Sequence, residues 1–488
     1  MSQEHKFFAI DLGAESGRGI VVTLKDKSVS MEEIHRWPNR PVRMGGTLYW
    51  DVQYLFAEIL VSLKHCTERK IPIESISIDT WGVDFGLLDA NGRLLSNPVH
   101  YRDGRTEKIH EYSNAKLSTD RIFELTAYEP WAIASLFQLL AMQRDSWPAL
   151  EMAQTFLNMP DLLLYFLTGV KASEMSIANT SNLMGTDKAW SPEIIDAFNL
   201  PDMFGELNEP ATVLGPLSDE VAELTGLGKD IPVIATCGHD TSAAVAAVPG
   251  QGENWAFLSC GTWSILGELI DHPVTEPKCL ELGWTNEYAI GGWYIAKNIL
   301  GLWLIQELKR KWDSSSDPWD YDRMTAEAGA AETNVLINAQ AESLLAPADM
   351  EQALYDLIEQ SGQARPASRG ELVRAVTQSL ALEYACGLDD LETLTGTRPE
   401  ALYIVGGGIK NKLLCQLTAN ACGVPVHAGA DQCTAMGNGL GQALALGILD
   451  SPEAIRDVMR ASFTPVEYRP QDAETWKSLK DCYRSLRG

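Results

Sequence analysis

One aspartate stands where an apolar run gives way to a helix-forming one. Pro232–Thr236 is followed by Cys237-Gly238-His239-Asp240-Thr241 and then by Ser242-Ala243-Ala244. A carboxylate there can accept the proton of a substrate hydroxyl as that oxygen attacks a phosphoryl group, and the start of a helix favours its charge. Aspartate is also a good N-cap, so the local sequence leaves both roles open. Gly238 leaves room for a ligand to approach, and His239 is either a partner for a sugar hydroxyl or a structural histidine. Cys237 adjoins this motif and Cys260 adjoins another, so reactive-thiol roles are considered for both.

Three further stretches carry chemistry. Asp11 closes an apolar strand beside Gly13, where its carboxylate can hold a magnesium ion through water, since magnesium takes one or two carboxylates and keeps several waters. Asp79-Thr80-Trp81-Gly82-Val83-Asp84-Phe85 sets a carboxylate at each end of an indole and a glycine. That composition suits a polyol, with an apolar ring face and hydroxyl acceptors; the alternative is a buried tryptophan between two turn aspartates. Gly406-Gly407-Gly408 ends a strand before a helix over Asn411–Cys422, leaving bare backbone against which an adenine or a phosphate can lie. Neither a G-x-G-x-x-G nor a Walker A pattern occurs, which excludes the two common glycine-rich nucleotide loops.

Asp11 belongs to a pattern that returns half a chain later. Ile10-Asp11-Leu12-Gly13-Ala14-Glu15-Ser16-Gly17-Arg18 and Phe257-Leu258-Ser259-Cys260-Gly261-Thr262-Trp263-Ser264 each run apolar, break at a glycine-bearing turn and resume as apolar sequence. Each predicts a strand, a tight turn and a returning strand. Small residues and backbone N–H groups at such a tip can receive an oxyanion, as phosphate nests do, and two facing hairpins can share one nucleotide between two domains. Two ordinary glycine hairpins are the plain alternative.

The elements that must position these groups follow from periodicity. Phe7–Ile10, Gly19–Leu24 and Val29–His35 read as a three-strand meander, Asp51–Arg69 as an amphipathic helix and Ile76–Asp79 as a strand. Asn91-Gly92 between Phe85–Leu88 and Leu94–Leu95 predicts a type I′ hairpin. The order β-β-β-α-β is not a βαβ alternation and suits a mixed sheet. In the second half, Trp255–Leu258, Ser264–Leu269, Trp293–Ile295, Leu402–Val405 and Val424–Ala428 read as strands. Leu300–Lys311, Leu372–Leu391 and a glycine-rich stretch over Ala435–Leu446 read as helices. Turn composition at Val248-Pro249-Gly250-Gln251-Gly252 sets a boundary. Residues 1–248 are expected to form a first domain with a largely helical insertion at about 118–224, and 249–488 a second.

Composition bounds the class. A chain of 488 residues, 45% hydrophobic and 22% charged, fits a two-domain globular enzyme. The formal charge of −27 argues against nucleic-acid and anionic-membrane partners. No run reaches transmembrane length and no signal sequence opens the chain, so a cytoplasmic location is expected. Nine cysteines without a CxxC pair suit reduced core residues.

The whole chain resembles the FGGY carbohydrate kinases, within the larger actin, hexokinase and RNase H-like fold class. The resemblance rests on Asp11–Arg18, Ile78–Phe85 with Leu87–Asp89, Tyr101–Thr106, and Met159-Pro160-Asp161 with Tyr165 and Leu167–Gly169. It continues through Gly238–Ser242, Ser259–Ser264, Lys297-Asn298 with Gly301–Leu304 and Gln306, and Ile404–Gly408. Ile78–Phe85 is its most selective stretch, because glycerol and xylulose kinases carry different residues there, and the chain looks most like the members that act on L-rhamnulose. Gln432 departs from the glutamate that many relatives carry before the helix containing Gly437 and Asn438.

The resemblance implies an α/β protein of two RNase H-like domains, with mixed sheets flanked by helices and a cleft between them. The first domain would bind sugar and the second nucleotide. It implies that Ala14, Glu15, Ser16, Gly17 and Arg18 contact ATP, with Thr262, Gln306 and Gly407 completing the nucleotide site. Gly82, His239, Asp240, Thr241 and Asn298 would face the sugar, with Asp240 as the proton acceptor and magnesium near Asp11. The implied reaction is ATP-dependent phosphorylation of L-rhamnulose at O1 by a monomer or homodimer. A kinase for L-fuculose or L-xylulose, and a non-catalytic actin-like ATP-binding protein, are the alternatives.

Overall fold

The computed structural model describes residues 4–487. The chain folds into two compact units: Met1–Val248 with Ile270–Ile295 and Gln432–Ser462, and Pro249–Leu269 with Ala296–Asp431 and Phe463–Gly488. The first unit therefore begins as one continuous stretch and recruits two later segments, where the sequence suggests a single break after Val248.

Seven elements frame the first unit: strands β1 (Glu4–Leu12), β2 (Ser16–Lys25) and β3 (Ser28–Pro38), helix α1 (Val52–Glu68), and strands β4 (Ser75–Thr80), β5 (Thr212–Pro216) and β6 (Pro232–Ala235). The strands form one mixed sheet in the order β5-β6-β4-β1-β2-β3. The meander is antiparallel, whereas β4 and β6 join in parallel with β1. Central β4 is buried along its whole length and edge strand β3 is mostly polar, as expected for strands covered on two faces and on one.

Helix α1 starts where Asp51 accepts a hydrogen bond from the Tyr54 N–H at 3.1 Å. It buries Val52, Leu55, Ile59, Leu63 and Cys66 at helical spacing. Its approach to β2 is so close that a Cβ on Gly19 would lie 1.8 Å from Ser62 Oγ. Within 118–224 the chain is largely helical, and its Phe137, Phe156 and Phe198 share a core with Phe85 and Leu87. Its tail, β5, returns to the main sheet.

Further elements include α2 (Asp240–Ala246), β7 (Trp255–Cys260), β8 (Trp263–Ile270), β9 (Thr285–Ala289), β10 (Gly292–Leu300), α3 (Trp303–Asp313), α4 (Arg369–Thr395), β11 (Ala401–Val405), α5 (Lys412–Cys422), β12 (Val426–Ala428), α6 (Cys433–Ala445) and β13 (Val466–Tyr468). Helix α6 packs on the first unit's sheet, where Gln442 donates to the Phe8 carbonyl at 3.1 Å and accepts from Ser75 Oγ at 2.6 Å. In the second unit β7 pairs antiparallel with β8 and parallel with β11, and β11 continues to β12 and β13. This repeats the local plan of β2, β1 and β4, so the internal duplication is structural.

Three local expectations change. Asn91 lacks the positive φ that a type I′ turn requires, and only Gly92 has one (φ +76). The Asp89 carboxylate instead accepts from the Asn91 and Arg93 N–H groups, both at 2.8 Å, and closes a longer turn. Leu300 ends a strand, and the helix begins at Trp303. Strand β12 starts at Val426, because Gly423 in the left-handed region (φ +71) ends α5 just before it.

Among the described residues no helix is long and apolar enough to cross a membrane.

Candidate active site

The first unit gathers its chemistry at the carboxyl ends of parallel strands, the usual ligand edge of such sheets. Asp11 on β1 is in register with Asp79 on β4. The Trp81 N–H donates to the Leu12 carbonyl at 3.2 Å and the Thr80 N–H to the Gly238 carbonyl at 2.8 Å. Three strand exits are thereby tied together, bringing Gly82, His239, Asp240 and Thr241 into one neighbourhood. A Cβ on Gly82 would sit 3.2 Å from Thr180 Cγ2, so the Gly82 backbone packs closely on the Thr180 side chain.

Asp240 is the first residue of α2; His239 stands at the N-cap position without a side-chain capping hydrogen bond, so Asp240 is not the cap. Asp240 Oδ1 accepts from the Thr241 N–H at 2.6 Å and from Thr241 Oγ1 at 3.2 Å. His239 Nε2 lies 3.5 Å from the same oxygen. Among the described residues no hydrogen bond reaches Oδ2, and the side chain is 31% exposed. Burial pushes this carboxyl above the usual range, and His239 opposes the shift. His239 Nδ1 is 3.0 Å from Glu287 Oε2, and the Tyr294 hydroxyl donates to Glu287 Oε2 at 2.6 Å.

The other carboxylates are engaged. Asp84 Oδ2 accepts from the indoles of Trp50 at 2.6 Å and Trp81 at 3.0 Å, and Oδ1 accepts from Gln138 at 3.0 Å. Trp81 is buried and stacks on Trp50 with ring centroids 4.0 Å apart. This cluster is an internal brace, which favours the buried-tryptophan alternative of the two sequence readings. Asp79 Oδ2 accepts from Asn438 at 2.6 Å. Burial, and next the negative charge of Asp11, push the Asp79 carboxyl well above the usual range.

The β1–β2 turn closes with the Gly13 N–H on the Ser16 carbonyl at 3.0 Å. No residue from Gly13 to Arg18 has a positive φ, so the tip lacks the alternating backbone of a phosphate nest. Arg18 forms an ion pair with Asp11 and donates to Gln432 at 2.8 Å. Asp11 offers a hard oxygen, and Asp79 Oδ1 beside it is buried without a hydrogen-bond partner among the described residues. That donor set fits magnesium. Among the described residues no group of three or more His, Cys, Asp or Glu side chains is arranged to hold a metal ion, so water and a ligand's oxygens would complete the shell.

The second unit holds the other predicted residues. Thr262 at the β7–β8 turn donates to Gln306 Oε1 on α3 at 3.1 Å, and its carbonyl accepts from Gly301 and Trp303. Gln306 and Gly407 line a cavity of about 520 Å³ together with Leu302, Tyr321 and Thr377. Gly406 (φ +82) turns the chain there, and Gly408 packs on Cys260, where a Cβ would meet Sγ at 2.3 Å. Asn298 lies on β10, beyond the point where that strand passes into the second unit.

Cys237 and Cys260 are buried, and burial pushes both thiols up, which removes the reactive-thiol reading. Glu287 and Glu174 were not singled out from sequence. Glu287 is the one polar anion inside a short strand whose five residues are all buried, and that mismatch is the local signal that marks it.

The chain belongs to the FGGY family of carbohydrate kinases. The family's N-terminal domain model matches residues 7–247 and its C-terminal domain model residues 256–446. It is 40% identical to a rhamnulokinase of Bacteroides thetaiotaomicron, covering 99% of this chain and 100% of the relative. A rhamnulokinase of Oceanobacillus iheyensis is 34% identical over 94% and 97% of the two chains. The crystal structure of a gluconate kinase from Lactobacillus acidophilus shares the fold, with a TM-score of 0.83 at 16% identity over 99% and 98% of the chains. The protein is a carbohydrate kinase.

Proposed function

We propose that this kinase transfers the γ-phosphoryl group of ATP to O1 of L-rhamnulose, giving L-rhamnulose 1-phosphate and ADP, with Asp240 as the proton acceptor. One observation carries the reading. Of the carboxylates at the strand ends, Asp79 and Asp84 are buried and Asp11 is paired with Arg18, whereas Asp240 is partly exposed and keeps an oxygen that no described residue bonds. The sugar is taken from the curated relatives, which are named rhamnulokinases.

Each part of the machinery has a role in this reading. Gly82, His239, Thr241 and Asn298 orient the ketose. Ala14 to Arg18 meet the phosphates, while Thr262, Gln306 and Gly407 hold the nucleoside end beside the second unit's cavity. Magnesium, held by Asp11 through water, would neutralise phosphate charge when bound. Asp240 Oδ2 takes the O1 proton as the new P–O bond forms.

The test is initial ADP release across a ketose panel with ATP and magnesium. The highest kcat/KM is expected with L-rhamnulose; a higher value with L-fuculose or L-xylulose reassigns the substrate. Asp240→Asn is expected to cost about 10²–10⁴-fold in kcat, and near-normal turnover in that variant removes the base assignment.

A further inference from the structure

Three side chains form a line in the first unit: Asp240, His239 and Glu287. His239 Nε2 is 3.5 Å from Asp240 Oδ1 and Nδ1 is 3.0 Å from Glu287 Oε2, and the imidazole and the Glu287 side chain are only 12% and 5% exposed. Tyr294 fixes the far end by donating to Glu287 at 2.6 Å and meeting Ser242 Oγ at 3.0 Å. The backbone N–H of His239 donates to Ser176 Oγ at 3.3 Å, so the ring's place is set from several sides.

Between Asp240 and His239 one proton has two homes. Burial alone favours the neutral arrangement, with a protonated acid and a neutral imidazole, because both charged forms lose solvation. An Asp240 that already holds a proton cannot accept another from a sugar. The charged groups facing His239 are Glu287 from β9, Asp240 from α2 and Glu174 from across the Gly238 turn, and all three favour the imidazolium. Burial lowers the imidazole, but the charge and hydrogen bond of Glu287 are the largest opposing causes, and the ring ends above its ordinary value.

We propose that Glu287 is a positioning residue that keeps the shared proton on His239 and thereby keeps Asp240 an unprotonated carboxylate ready to act as base. It touches neither sugar nor nucleotide; it acts through the imidazole. This inference rests on Asp240 being the base.

The decisive variant is Glu287→Gln, which keeps an oxygen acceptor for Nδ1–H and for Tyr294 but removes the charge. The shared proton then moves towards Asp240. The kcat/KM for the ketose is expected to fall roughly tenfold or more near neutral pH and to recover as pH rises and the pair loses that proton. The acid limb of the profile thus moves to higher pH while the KM for ATP stays unchanged. A loss equal at every pH, or no loss, overturns the proposal.

A second measurement needs no Glu287 variant. The imidazole resonance of His239, assigned by its disappearance in His239→Asn, should titrate above the ordinary histidine range in the intact kinase. Titration below that range overturns the proposal. Turnover by Asp240→Asn that matches the native chain would instead remove the base assignment, a result separable from both readouts.

Discussion

The Gly238 N–H donates to Glu174 Oε2 at 2.8 Å, across 64 residues of sequence. The same carboxylate accepts from the Ser176 N–H at 2.7 Å, the Ile177 N–H at 3.2 Å and Ser176 Oγ at 2.6 Å, and it is buried. It therefore staples the turn that presents His239 and Asp240. Glu174→Ala would leave those donors buried and unpaired, at a cost of about 3 kcal/mol or more. A urea midpoint lowered in proportion, with loss of turnover, is expected.

The pH dependence of stability should carry the same residue's mark. Burial raises the Glu174 carboxyl to about 7 from an ordinary value of 4.5. A carboxyl raised on folding stabilises fully below its unfolded value, and the contribution fades as pH rises through the folded one, here between pH 4.5 and about 7. The amount is on the order of 3 kcal/mol. Asp84, raised to about 6 by burial, has the same sign, whereas His100, lowered to about 4 by burial, has the opposite one. The clean readout is a difference: Glu174→Gln should lose stability less steeply than the native chain across that window.

Two adjacent glycines differ in the room a side chain would have. A Cβ on Gly407 meets nothing within 4 Å, whereas one on Gly408 meets Cys260 Sγ at 2.3 Å and Cβ at 2.6 Å. Gly407→Ala should keep the native melting temperature and raise the KM for ATP without changing that for the sugar. Gly408→Ala should destabilise by about 1–3 kcal/mol. Melting curves and steady-state kinetics on the pair check both halves.

Helix α6 touches α2 through a backbone contact. A Cβ on Gly437 would sit 1.9 Å from the Ala243 carbonyl oxygen, one turn along α2 from Asp240. Gly437→Ala is expected to push the helices apart, cost about 3 kcal/mol and lower kcat. Calorimetry and turnover on the same preparation test the link.

Local chemistry carried much of this fold. The meander, α1, and the repeat of the β1–β2 hairpin in β7–β8 were legible because short-range periodicity and turn residues dictate them. The Asp240 turn was visible for the same reason, and so was the glycine run beside the second unit's cavity. Trp81 and Asp84 were legible as an unusual cluster, but the sequence left open whether they face a ligand or the interior. Whether such a carboxylate meets solvent or three side-chain donors depends on Trp50 and Gln138, and neither adjoins it in sequence.

By itself the order of residues determined the family, the duplicated strand plan and the carboxylate that starts α2. Only tertiary structure decided which carboxylates remain free, that Glu287 meets His239 and that Glu174 holds Gly238. Hydrogen bonds and buried charge pairs act over about 3–4 Å. Their partners here come from distant strands that become neighbours only when the sheet and its flanking segments assemble.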